Sequence, residues 1–136
     1  MRPVEVWRKA WREGIAPQLS VRALVALRRG LAEDDEHLIQ GATTAPPPLV
    51  CMRDSPTEAA CGIGYGGWQG EGLATVAEVE EYFAQICART DEHFGEPQAA
   101  RWFLNWFDGT PRAEVRRCLL AEVERTLASR QVGWCE

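Results

Sequence analysis

The chain has 136 residues, 46% of them hydrophobic and 26% charged, with a formal net charge of −5. That length and balance fit a single domain able to bury its own core. They exclude a membrane span, which needs about 20 consecutive apolar residues, and the acidic majority opposes approach to nucleic-acid phosphates.

Arg2, Arg8 and Lys9 are followed by no uninterrupted apolar stretch, so no secretory signal is expected and the expected location is the cytoplasm. The five cysteines (Cys51, Cys61, Cys87, Cys118 and Cys135) include no C-x-x-C pair. They read as free thiols in a reducing compartment, without a disulfide framework or zinc knuckle. Fourteen of the fifteen basic residues are arginine, in keeping with a GC-rich, bacterial-like coding bias. Charge is uneven: residues 1–30 carry seven basic and two acidic groups, residues 31–100 two and thirteen. The basic first helices are expected to pack beside the acidic middle of the same domain.

Val4, Trp7, Trp11 and Ile15 recur at helical spacing, which predicts a first helix over 4–14 closed by Gly14 and Pro17. Its inward tryptophans have Arg8 and Arg12 beside them. Because tryptophan and arginine are favoured interface anchors, Trp7, Arg8, Trp11 and Arg12 form the first candidate binding surface. Ser20 then caps a second helix with Val21, Leu24, Leu27 and Leu31 on one face. Asp34 or Asp35 is expected to cap a short third piece ending at Gly41.

Residues 42–54 form a connecting loop in which Pro46, Pro47 and Pro48 favour an extended path. Lacking P-x-x-P spacing, it reads as a spacer across the surface. The apolar run at 49–52 is the one strand candidate, so no significant sheet is expected. Ser55-Pro-Thr-Glu58 has the form of a capping box and predicts a helix running into the next segment.

That segment, residues 61–72, holds six of the twelve glycines together with Tyr65 and Trp68. Gly62-x-Gly64-x-x-Gly67 matches the bare dinucleotide pattern, but a capped helix is expected before it in place of the strand, and glycines follow where a helix should begin. The only lysine in the chain is Lys9, so there is no phosphate-loop lysine. The preferred reading keeps the start helical, with Ala59, Gly62, Ile63, Gly66 and Gly67 as a small-residue stripe that admits a second helix. Trp68 covers its edge, and a glycine-rich turn follows at 66–74. Tyr65, Gly66, Gly67 and Trp68 form the second candidate site.

Thr75-Val-Ala-Glu78 is another capping box, opening a helix with Val76, Val79, Phe83, Ile86 and Cys87 on one face. Residues 101–107 are apolar nearly all round, which predicts a buried central helix. Thr110-Pro111 starts the last helix, with Val115, Leu119, Val123 and Leu127 inward and Glu114–Arg117 and Glu122–Arg125 as surface pairs.

The histidines end matching tripeptides, Asp35-Glu36-His37 and Asp91-Glu92-His93, at predicted helix boundaries. Neither has the Glu-x-x-His spacing of a di-iron bundle, so they read as solvated and no metal or cofactor is expected. No serine sits in a G-x-S-x-G turn, and nothing in the spacing brings Cys61 to His93. The expectation is an all-α, single-domain bundle of about six helices around an aromatic core. Functionally it reads as a non-catalytic adaptor or accessory subunit, monomer or homodimer, with a protein partner. The competing class is a small enzyme or ligand-binding protein with a pocket at 61–72.

Overall fold

The computed structural model describes residues 5–134, so Arg2, Val4 and Cys135 lie outside the described residues. Six α-helices carry this part of the chain: α1 (Val6–Lys9), α2 (Val21–Glu33), α3 (Gly62–Tyr65), α4 (Val76–Phe94), α5 (Ala99–Gly109) and α6 (Arg112–Trp134). The mostly helical fold read from the periodicity is the one observed.

α1 runs on through a wider helical turn, Ala10–Ile15, and a tighter one, Ala16–Gln18. Gly14 therefore does not end the first helix. It lets α4 approach: a Cβ there would lie 2.6 Å from the Thr90 methyl and 2.9 Å from the Phe94 ring. The Gln18 amide locks the same junction, donating to the carbonyls of Gly14 and Ile86 and to Thr90 Oγ1. Ser20 caps α2 as predicted, accepting from the Ala23 amide.

Two predicted helices are absent. Asp34 closes α2 in the left-handed region (φ 52°) and opens nothing, and the chain beyond it is held by Ile39 N–H to Ala60 O and Ala60 N–H to His37 O. The Ser55 capping box is overridden too. Thr57 N–H donates to Ala74 O and Glu58 N–H to Ala45 O, leaving this stretch extended. It leads into the only sheet among the described residues, the two-residue antiparallel pair β1 (Thr44–Ala45) and β2 (Ala59–Ala60). Partners distant in sequence satisfy these amides, so the local helix signal has nothing left to contribute. The Thr75 box forms as predicted, both hydrogen bonds present.

The core joins Trp7, Trp11, Leu24, Leu27, Ile63, Phe103, Phe107, Leu119 and Val123 in one cluster. Trp7 stacks on Trp106 with ring centroids 3.6 Å apart and planes 3° from parallel, and Phe103 lies beside Trp11 and Phe107. α5 is one-sided and not a buried central rod. Phe103 and Phe107 point inward, Trp102, Leu104 and Trp106 are half-buried, and Arg101, Asn105 and Asp108 face solvent. α6 buries Val115, Leu119, Val123 and Leu127 as expected and lies against α2.

Candidate functional site

The first candidate surface is turned inward. Trp7 and Trp11 retain 3% and 0% of their exposure, so neither can anchor a partner from outside. Arg8 and Arg12, one helical turn apart, converge on Glu122 of α6. Arg12 forms a two-point fork, Nε to Oε1 at 2.8 Å and Nη2 to Oε2 at 2.9 Å, and Arg8 Nη1 adds a third bond at 2.8 Å. Glu122 is buried, so the expected surface pair with Arg125 is not made. The Arg12 hydrogen bonds, then those from Arg8, hold its carboxyl below the usual range against the opposing effect of burial. The signal was present in the sequence: Glu122 falls three residues after Leu119 and seven after Val115, on the inward stripe of α6.

The glycine segment is a packing device. Gly66–Gly70 continues α3 as a wider helical turn, so the expected turn at 66–74 begins only after Gly70, with Gly72 at φ +78°. Close neighbours occupy the stripe. A Cβ on Gly70 would lie 2.6 Å from both the Ala23 Cα and the Arg22 carbonyl, and one on Gly67 would lie 2.6 Å from the Tyr82 ring. Gly62 faces Phe107 and Gly66 faces Ala23. Gly66 and Gly67 are thus buried against protein, Trp68 is half-buried, and none of the three lines a cavity described among these residues.

Tyr65 leads elsewhere. Its ring fills the space over Gly30, and its hydroxyl donates to Asp35 Oδ2 at 2.6 Å. The other Asp35 oxygen accepts from the His37 amide and faces His37 Nδ1, each at 2.9 Å. Burial and the Asp35 carboxylate push the Tyr65 hydroxyl up to about 12, while Tyr65 as a donor holds Asp35 below its ordinary value. Tyr65 and Asp35 border a cavity of about 190 Å³ shared with Arg29, Gly30 and Glu33, with His37 behind Asp35 and outside the lining. The neutral phenol and the Asp35 carboxylate offer hydrogen-bonding groups to the cavity. No serine, threonine or cysteine lines the cavity to act as a nucleophile.

A second cleft, about 220 Å³, lies between the loop at 41–43 and α5 and is lined by Cys61, Phe83, Arg101, Asn105 and Asp108. Burial pushes the Cys61 thiol up to about 11, so it stays protonated at neutral pH, and His93 is exposed on the last turn of α4. Among the described residues no three His, Cys, Asp or Glu side chains converge as metal ligands, and no helix is long and apolar enough to cross a membrane.

Of the six large apolar side chains exposed among the described residues, three lie together in the proline loop, and the others, Val6, Val21 and Val25, stand on α1 and α2. Leu49, Val50 and Met52 are 58%, 92% and 37% exposed, and Cys51 is exposed between them. The loop is an ordered knob. Met52 N–H donates to Leu49 O, and its root is fixed to α4 by Val76 N–H to Ser55 O and Ala77 N–H to Arg53 O. The apolar tetrapeptide after three prolines was its sequence signal, read there as a strand candidate.

Comparison with protein families, with curated proteins and with solved structures finds no match for this chain.

Proposed function

We propose that this chain is a non-catalytic adaptor or accessory subunit that engages a protein partner through the knob at 46–52. The observation that carries the proposal is the outward display of Leu49, Val50 and Met52 on a loop whose root is pinned to α4. Single exposed apolar residues need no explanation, but three within four positions mark a contact surface. A fixed root lowers the ordering cost of binding. The apolar residues stand on a short helical turn, Val50–Met52, closed by Met52 N–H to Leu49 O, and such a compact apolar tip seats in a groove. The partner therefore presents an apolar groove.

The cytosol is the proposed location, supported by four free cysteines among the described residues, one of them the exposed Cys51. Monomer and homodimer are both compatible with a single knob per chain. A photo-crosslinking residue at position 50, compared with one at the exposed Glu124, tests the reading. Position 50 should trap one discrete protein, and Leu49→Glu should abolish that product while leaving the melting temperature unchanged. If the trapped protein is this chain itself, the knob is a dimer contact. Equal labelling from both positions, or a product insensitive to Leu49→Glu, would refute the proposal.

A further inference from the structure

Between the first helix and the last lies a cleft of about 300 Å³ lined by Arg12, Ala16, Pro17, Arg125, Thr126, Ser129 and Arg130. Three of its seven lining residues are arginine and none is acidic. We propose that this cleft binds a phosphate-type oxyanion, either free or as the phosphomonoester group of a small ligand.

The case rests on how the guanidiniums are held. Arg12 is fixed by its two-point fork on Glu122, which leaves its other terminal nitrogen, Nη1, free of that pairing. Arg130 is fixed from the opposite wall, its two terminal nitrogens donating to the carbonyls of Leu19 and Ala16. Those carbonyls close the first helical stretch, a position where a cation is favoured. Each pairing spends only part of the five-donor guanidinium, and Nε of Arg130 keeps its proton.

Arg125 makes no hydrogen bond or ion pair among the described residues and lies one turn before Ser129 on the exposed edge of α6. The Thr126 hydroxyl is committed, donating to Glu122 O. The polar groups offered to the cleft are therefore chiefly donors. Donors without a facing carboxylate select an anion, and planar forks suit phosphate oxygens. Of the three arginines that line the cleft, Arg12 alone is paired with a carboxylate, that of Glu122. The lining side chains carry three positive charges and no negative one, although the whole chain carries −5. The volume lies at the lower end of small-molecule sites, enough for a phosphate and a small body. This site is independent of the knob.

Titration calorimetry at constant ionic strength, with inorganic phosphate in one arm and glycerol 3-phosphate in the other, tests the proposal. At least one arm should give saturable binding, and the tighter arm shows whether the site holds the free anion or an organic monoester. Arg125→Ala should weaken that binding about tenfold or more, the size of one charge-assisted contact. Arg125 is exposed, so the variant should melt with the wild type. Arg117→Ala, on the same helix but paired with Glu114, should change nothing. The proposal is overturned if neither arm saturates by about 10 mM, if chloride competes equally well, or if Arg125→Ala binds as the wild type does.

Discussion

Replacing Arg8 and Arg12 together by alanine should destabilise the protein by about 3–5 kcal/mol, the usual cost of stranding a buried charge. At roughly 2–4 °C per kcal/mol for a chain of this size, melting should fall by about 6–20 °C. Arg12→Ala alone should cost about 2–3 kcal/mol, because one charge-assisted bond from Arg8 still reaches Glu122. The pH dependence separates this explanation from simple loss of packing. In the wild type the Glu122 carboxyl sits below its ordinary value of 4.5. Its contribution is complete above that value and is lost as pH falls through the depressed one.

In the double variant burial acts alone and raises the carboxyl. The protonated form is then favoured, and the remaining penalty grows as pH rises through the raised value. The stability gap between wild type and variant should therefore be wide near about pH 7 and narrow near about pH 4. Chemical denaturation of both proteins at the two pH values measures it. A gap that does not change with pH would show that Glu122 is not the group being stranded.

The second large effect is expected at Gly70. An alanine Cβ there would meet backbone, the Ala23 Cα and the Arg22 carbonyl, each at 2.6 Å. Backbone in the first turn of α2 cannot rotate away, so α2 and the glycine helix must separate. Overpacking of this kind costs about 1–3 kcal/mol and can exceed it where neighbours are rigid. Gly109→Ala is the matched control: a Cβ there meets nothing within 4 Å, and φ is not positive. It should be neutral or stabilise by up to about 1 kcal/mol, since alanine is the better helix former. Thermal melts of the two variants side by side would decide. Equal behaviour would remove close helix approach as the reason for the glycine stripe.

Where one face of a helix meets the core, the sequence was readable. Leu24, Leu27 and Leu31 on α2 and Val115, Leu119, Val123 and Leu127 on α6 are buried as their spacing required. The stripe from Gly62 through Gly67 was legible too, because glycine is costly in a helix unless another backbone or ring needs the room. Local signals failed where a remote partner took the hydrogen bonds. Ser55-Pro-Thr-Glu58 has every mark of a helix start, yet Ala74 and Ala45 claim the amides of Thr57 and Glu58.

The candidate sites fared less well for a related reason. Tryptophan beside arginine suits an interface and a core seam equally, and only the position of Glu122 on α6 decides between them. The exposed knob at 49–52 could not be separated from a short strand, since both are brief apolar runs bounded by turn residues.

The seam between the first helical stretch and α6 has a consequence for biosynthesis. Arg8 reaches Glu122 across 114 positions, and Arg130 reaches Ala16 across the same separation. The first helix is thus made well before the groups on α6 that complete its burial. Until α6 leaves the ribosome, that helix lacks its clasp, and long-range closure of this kind is slow compared with local helix formation. A nascent chain stalled before residue 112 should therefore leave the first helix susceptible to proteases and holding chaperones, a vulnerability that ends when α6 is released.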